Sequence, residues 1–168
     1  MKIKLTPEFA YLIGVWKGRR IENGIGIKTS GELQGIFLKE VLKVLKIPPQ
    51  KIQLIENKTF FYHSAYRKFF EETEKNQIDI FKKRNNYSAA FLAGLFDSIG
   101  GIEKNLLYFT IANYKDQILI ERLGFRTRFV GKRLFILDSK NFKNFIYNFL
   151  KLTKLKALIR SGNERDHH

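Results

Sequence analysis

Two segments of this chain carry small residues at every fourth position, and that spacing constrains the fold more than any other feature of the sequence. Residues four apart lie on one face of an α-helix, so each segment predicts a helix with a stripe that has almost no side chain. Glycine inside a helix costs about 1 kcal/mol relative to alanine. Each stripe could pack on the sheet of its own half, but the matched spacing favours two helices that pack closely against each other and join two halves of the protein. The stripe residues are Ala10, Gly14, Gly18, Ala90, Gly94 and Ser98.

The order of elements repeats once along the 168 residues. Each half predicts an opening helix, then strand-forming sequence, a longer helix, a hairpin and a closing helix. The opening helices are predicted over residues 7–18 and 88–101. A polar, basic stretch lies between the halves and is interpreted as a linker. The predicted divisions are a first repeat at 1–80, the linker at 81–87, a second repeat at 88–160 and a polar tail at 161–168.

The last hairpin, residues 125–138, predicts a half-buried antiparallel sheet. Side chains alternate between the faces of a strand, and a two-residue turn at Gly131 and Lys132 makes one face apolar and the other basic. Neighbouring arginines repel, so we expect an anionic partner on the basic face, although a solvated face is the simpler alternative. The first-half hairpin, with its turn at residues 57–58, divides in a similar way. The arginines of the basic face are Arg126, Arg128 and Arg133.

The charge of the chain agrees with such a partner. Lys and Arg number 31 against 16 Asp and Glu, a net charge of +15. This excess favours nucleic acid as a partner over a merely lysine-rich surface. The absence of cysteine excludes disulfides and thiolate zinc sites. With three histidines, two of them the last two residues, we expect no metal or other cofactor. No apolar run predicts a membrane span, so we expect a cytoplasmic protein, associated with the nucleoid if it binds DNA, and the composition hints at a heat-loving source.

The second small-residue helix, "FLAGLFDSIGG", resembles the motif helix of the LAGLIDADG homing endonucleases. Residues 92–100 fall on the nine motif positions, and "LIGVWKGRR", residues 12–20, resembles a degenerate first copy with Gly14 at the shared glycine. The resemblance implies an α+β fold of two αββαββα repeats, which form a pseudo-two-fold saddle of antiparallel sheets across DNA. It also implies a monomer that is an internal pseudo-dimer, with divalent metal ions at the ends of the paired helices.

The resemblance places Arg19 and Ile99 at the eighth motif positions, where active members of the family have metal-binding acids. Isoleucine has no ligand atom and arginine repels a cation, so we expect no catalytic residue and no metal. Lys17 and Arg20 also replace motif residues in the first copy, and together with Arg19 they form a cluster that is expected to attract phosphates. Asp97 matches a motif aspartate that is not the usual ligand, and we expect it to brace the helix end.

These observations favour a non-cleaving protein that binds duplex DNA, and the family resemblance implies a regulatory or architectural role for it. One alternative is an RNA-binding protein similar to maturases, with aromatic rings for stacking. A second is an endonuclease in which Glu22 or Glu103 replaces the lost acids, and a third is a subunit that pairs with an active relative. A membrane partner is not expected. The candidate nucleic-acid-binding residues are Lys17, Arg19, Arg20, Lys28, Lys51, Tyr62, Asn113, Lys115, Arg126, Arg128 and Arg133.

Overall fold

The computed structural model describes residues 2–166, with side chains for 2–153 and 155–160. The first half contains α1 (Pro7–Arg19), β1 (Ile25–Lys28), α2 (Glu32–Glu40), β2 (Gln53–Ile55), β3 (Lys58–Phe61), α3 (Ser64–Lys75) and α4 (Gln77–Ile80). The second half contains α5 (Asn86–Ile99), β4 (Gly100–Glu103), β5 (Leu106–Thr110), α6 (Tyr114–Arg122), β6 (Thr127–Val130), β7 (Arg133–Ile136), α7 (Ser139–Ile146) and α8 (Thr153–Asp166). None of the described helices is long and apolar enough to cross a bilayer.

Side-chain caps set the starts of the helices that carry the site. The Thr6 hydroxyl accepts a hydrogen bond from the Phe9 amide at the start of α1, and Pro7 supplies the first helical residue. Asn85 and Ser88 form a reciprocal capping box at the start of α5. Both helices therefore have an N-terminal start that is defined by a side-chain cap.

Two separate antiparallel sheets flank the helices, and the predicted α+β architecture is confirmed. The strand order is β1-β3-β2 in the first sheet and β4-β5-β7-β6 in the second. Each sheet buries one face against the helices, so its opposite face is available to a partner. The buried-face residues include Ile25, Ile27, Thr59, Phe61, Leu107, Phe109, Leu134 and Ile136.

Several predicted boundaries differ from the structure. The α5 helix begins at Asn86, inside the predicted linker at 81–87, and α8 runs to Asp166, into the predicted polar tail at 161–168. The first-half hairpin turns at Glu56 and Asn57, one residue earlier than predicted. The pairing register therefore shifts by two residues, which leaves each side chain on its predicted face because the side-chain period is also two. The α5 helix ends at Ile99 rather than at Gly101, because Gly100 turns to extended backbone and begins β4.

Candidate nucleic-acid interface

The α1 and α5 helices pack against each other through their glycines. A Cβ atom on Gly14 would overlap the carbonyl oxygen of Phe91, and a Cβ atom on Gly94 would overlap that of Tyr11. Both obstacles are backbone atoms, so they cannot rotate away. The structure thus brings the two predicted stripes together, and any larger residue at Gly14 or Gly94 would force the helices apart.

The contact between α1 and α5 is polar near the C-terminal ends of the two helices. A Cβ atom on Gly18 would overlap the side chain of Ser98, whose hydroxyl donates a hydrogen bond to the Val15 carbonyl at 2.9 Å. Ala10 and Ala90 are fully buried in the core. The C-terminal ends of α1 and α5 are therefore held side by side, and the motif residues of both copies lie at one place.

The sixth motif residue of the first copy, Lys17, is a structural cation. Its Nζ lies 2.5 Å from Oδ1 of Asp116 and also donates to the side-chain oxygen of Gln77. The Lys17 and Asp116 side chains are 6% and 3% exposed. The Lys17 ammonium is therefore paired and almost fully buried, which argues against the predicted contact of Lys17 with a phosphate. The Asn113 side chain is also engaged, since it accepts from the Asp116 amide at the start of α6.

The sixth motif residue of the second copy, Asp97, is a buried brace. Its Oδ2 accepts hydrogen bonds from the Tyr11 hydroxyl at 2.7 Å and from the backbone amides of Lys151 and Leu152 at 2.7 and 3.3 Å. Its Oδ1 has no partner among the described residues. Burial raises the pKa of Asp97, and burial followed by the nearby Asp97 carboxylate raises the pKa of Tyr11 well above its ordinary value.

The eighth motif residues, Arg19 and Ile99, are the last residues of α1 and α5. Nε of Arg19 donates to the Ser98 carbonyl at 2.7 Å, across the helix pair. Ile99 is 7% exposed, and its carbonyl accepts from the Thr110 hydroxyl at 2.9 Å. A guanidinium and an alkyl side chain offer no anionic oxygen, so these two positions do not fit a divalent metal ion.

Two ion pairs lie beside the helix ends. Arg20 pairs with Glu74 and stacks over the Trp16 ring at 5.0 Å, and the Lys17 pair with Asp116 lies nearby. All four paired residues line a cavity of about 120 Å³ that also borders Ile99. Both carboxylates already have a cationic partner. No group of three or more His, Asp or Glu that could hold a metal occurs among the described residues.

The acids of these two ion pairs were not among the predicted site residues. Asp116 could have been found from its spacing, since Asn113 and Asp116 have the three-residue separation of a capping box. Glu74 has no comparable local pattern, because its partner Arg20 is 54 residues away in the sequence. The sequence alone therefore does not show that Lys17 and Arg20 are neutralised.

Two lysines lie directly opposite each other on the outer face of the first sheet. Lys28 of β1 pairs in register with Lys58 of β3, and both are exposed. Like charges at paired positions destabilise a sheet, which favours an anionic partner here. Tyr62, 62% exposed, follows β3. Lys58 was not predicted, because the expected turn at residues 57–58 would have placed it outside the strand.

Two other predicted residues lie off the ladder of the first sheet. Lys51 is exposed in a short 3₁₀ turn before β2. Lys115 is exposed near the start of α6 and, with Trp16 and Arg20, borders an open cavity of about 670 Å³. The structure does not bring either lysine onto the sheet face with Lys28.

The outer face of the second sheet carries Arg128 and Arg133, as the alternation predicts. Arg133 pairs with Glu103 at 2.6 Å and lies over the Tyr108 ring at 4.4 Å. Arg128 is exposed and makes no ion pair among the described residues. The face is thus basic and partly aromatic, with one arginine fixed in place and one free to reach a partner.

Arg126 is held at the edge of this face by Asp138. Its guanidinium donates to both carboxylate oxygens at 2.8 to 3.2 Å. This contact lowers the pKa of Asp138 and raises that of Arg126. The predicted repulsion among three arginines is therefore largely offset, because Arg126 and Arg133 each have an acidic partner. Arg128 has no acidic partner among the described residues, so an anionic partner is still expected at this position.

The fold matches solved structures of the homing endonuclease I-DmoI. Mesophilic variants of I-DmoI superpose with a TM-score of 0.62 at 17% identity, over 83% of this chain and 94% of that one. I-DmoI in complex with DNA and calcium superposes with a TM-score of 0.61 at 14% identity, over 96% and 98% of the two chains. The chain has the two-repeat LAGLIDADG fold of I-DmoI. A complex of I-DmoI with DNA and manganese gives a TM-score of 0.60 at 14% identity, over 87% and 97%. No family model and no curated protein matches the chain.

Proposed function

We propose that this protein binds duplex DNA across the outer faces of its two sheets and does not cut it. The fold is that of I-DmoI, whose solved structures include complexes with DNA. The outer faces carry Lys28 and Lys58 on one sheet and Arg128 and Arg133 on the other. Cationic side chains on a sheet face can hold phosphates, and arginines can read base edges in the major groove.

The observation that carries the non-cleaving part of the proposal is the pair at the eighth motif positions. Metal-assisted hydrolysis needs anionic oxygens that hold a cation beside the scissile phosphate. Arg19 and Ile99, the last residues of α1 and α5, match the metal-binding motif positions by resemblance and supply no anionic oxygen. The scaffold is thereby suited to attract the DNA backbone without activating water upon it.

The two acids that could have moved into this role are poorly placed for it. Glu103 is four residues beyond Ile99 along β4, about 13 Å of extended strand, and is paired with Arg133. Glu22 lies in the turn before β1 and borders the larger cavity. Neither belongs to a group of three potential ligands among the described residues. We therefore favour loss of cleavage over relocated acids.

RNA binding through stacked bases is less favoured. The aromatic side chains that sequence composition offered for stacking are mostly in the core, as with Phe142 and Trp16. The strongly exposed tyrosines are Tyr62 and Tyr114, which lie in different halves and do not form a continuous platform. The selection experiment includes an RNA pool, so it distinguishes an RNA partner from a DNA partner.

The test is a selection from a pool of randomised duplex DNA in magnesium at about physiological salt, where purely electrostatic binding is suppressed. The recovered strands are run on a denaturing gel, and a structured RNA pool is treated in parallel. Enrichment of an intact duplex site supports the proposal. Cut strands contradict the non-cleaving part, and enrichment of RNA alone contradicts the DNA part.

A further inference from the structure

We propose that Arg19, where the C-terminal ends of α1 and α5 meet, is a built-in cation for a phosphate at the centre of the bound DNA, so that binding does not depend on divalent metal. This inference rests on the proposed function and names the contact that the central phosphate makes. The LAGLIDADG resemblance implies metal ions at the ends of the paired helices. The side chains found there include a cation and offer no anionic ligand at the eighth motif positions, and the inference rests on this difference.

The three motif cations beside the helix ends differ in whether an acidic side chain already pairs with them. Lys17 is neutralised by Asp116 in a buried pair, and Arg20 is neutralised by Glu74. Arg19 is exposed and has no acidic partner among the described residues. It is therefore the one motif cation of the three whose charge is not already matched within the described part of the chain.

The position of Arg19 is fixed by the opposite helix. Its Nε donates to the Ser98 carbonyl at 2.7 Å, and Ser98 in turn contacts Gly18 and Val15 of α1. A guanidinium has five N–H donors, and this bond uses one of them. The donors on its two terminal nitrogens match the geometry of a phosphate, and holding the group in place beforehand lowers the ordering entropy on binding.

The second copy supplies no matching charge. Ile99 is buried and apolar, and its carbonyl is already bonded to Thr110. The adjoining ends of α1 and α5 therefore carry one fixed cation at the eighth motif positions rather than a symmetric pair. We expect Arg19 to neutralise a single phosphate, which makes a specific prediction for the salt dependence of binding.

A purely structural role for Arg19 makes a different prediction. A cation near a helix C-terminus stabilises the last carbonyls, and the Arg19 contact with Ser98 is of this kind. If that were its only role, substitutions would change stability and leave the salt dependence of DNA binding unaltered. Arg19→Gln is the informative variant, because the amide can still donate to Ser98 but carries no charge.

The first experiment measures affinity for a selected duplex between about 50 and 200 mM salt, for wild type, Arg19→Gln and Arg19→Lys. The expected result is that Arg19→Gln makes the negative slope of log affinity against log salt less steep by about 0.9, whereas Arg19→Lys retains the wild-type slope. Lys140→Gln, an exposed charge on α7, is the control for lost net charge. An unchanged slope for Arg19→Gln with normal thermal unfolding overturns the inference.

The second experiment compares wild-type affinity in magnesium, in calcium and in EDTA at matched ionic strength. We expect the three values to agree within about twofold, because the central phosphate already has its cation. A rise of about tenfold with either metal overturns the inference even though DNA binding itself holds. Failure of wild type to bind duplex in any of these buffers overturns the proposed function as well, so the two failures are distinguishable.

Discussion

Lys17 of α1 and Asp116 of α6 form a buried ion pair that joins the two repeats, with 2.5 Å between Nζ and Oδ1. Gln77 bonds to both partners, its oxygen accepting from Lys17 and its nitrogen donating to Asp116. In the second copy, Asp97 likewise bonds to Tyr11 of α1. The sixth motif residue of each copy thus holds the two halves together.

Replacing Lys17 by methionine should destabilise the protein strongly. The substitution leaves the Asp116 carboxylate buried without a cation, and removal of one partner of a buried pair costs about 3–5 kcal/mol. The measurement is urea unfolding near neutral pH, followed by circular dichroism. A loss below about 1 kcal/mol would show that the site is hydrated and that the pair contributes little.

Arg20→Met is the matched control for this variant. The Arg20 side chain is 47% exposed in its pair with Glu74, and exposed pairs contribute about 0–1 kcal/mol. We therefore expect a small change in the free energy of unfolding. Equal losses for the Lys17 and Arg20 variants would contradict the distinction between a structural and a surface cation.

Replacing Gly94 by alanine should separate the paired helices. The added Cβ overlaps the Tyr11 carbonyl oxygen, and the backbone must move to relieve the contact, at a cost of roughly 3 kcal/mol. Gly35→Ala is the control, because Gly35 is inside α2 and its Cβ would meet no atom within 4 Å. That variant should be stabilised by up to about 1 kcal/mol, since alanine favours a helix. Thermal unfolding of the two variants is the comparison, and a stable Gly94→Ala protein would contradict the close packing.

The paired helices and the faces of the strands could be predicted because both follow from short-range periodicity. Four-residue spacing identifies the Gly14 and Gly94 stripes, and two-residue alternation places Arg128 on the outer face of the second sheet. The neutralisation of Lys17 could not be predicted. It depends on Asp116, which is 99 residues away in the sequence, and no local pattern encodes a contact of that kind.

Asp97→Asn should change the pH dependence of stability in a defined direction. Burial raises the pKa of Asp97 above its ordinary value of 3.8. At pH values between 3.8 and the raised pKa, the folded protein therefore binds more protons than the unfolded chain. Wild-type stability therefore falls, through this group, as the pH rises across that window, and the contribution is constant above it. Asparagine removes the titration.

The measurement is the free energy of unfolding of Asp97→Asn minus that of wild type, at a series of pH values from below 3.8 upwards. The difference should move in favour of the variant as the pH rises. Subtraction is needed because Asp138 has a lowered pKa and gives wild type the opposite slope at acid pH. A difference that is independent of pH would show that the pKa of Asp97 is not raised.

Replacing Lys28 and Lys58 by glutamine should weaken DNA binding without loss of stability. The two lysines are opposite each other, so their removal relieves repulsion in the free sheet. Each lysine that contacts a phosphate should add about 0.9 to the steepness of the negative slope of log affinity against log salt, so the double variant should show a shallower slope. Lys68→Gln, an exposed change on α3, is the control and should leave the slope unaltered. Equal effects from Lys68 would mean that only net charge is sensed.

Arg128→Ala should weaken binding to a selected duplex more than Arg126→Ala does. Arg126 is held by both oxygens of Asp138, so it must give up those hydrogen bonds before it can contact DNA. Arg128 has no acidic partner among the described residues and makes no such exchange. If Arg128 reads a guanine edge, its loss should weaken binding by about 1–3 kcal/mol and should relax the preference at one base pair. The measurement is a repeat of the selection with the Arg128→Ala variant. A uniform loss on all duplexes would assign Arg128 to a phosphate instead, and a larger loss from Arg126→Ala would show that the Asp138 contact breaks on binding.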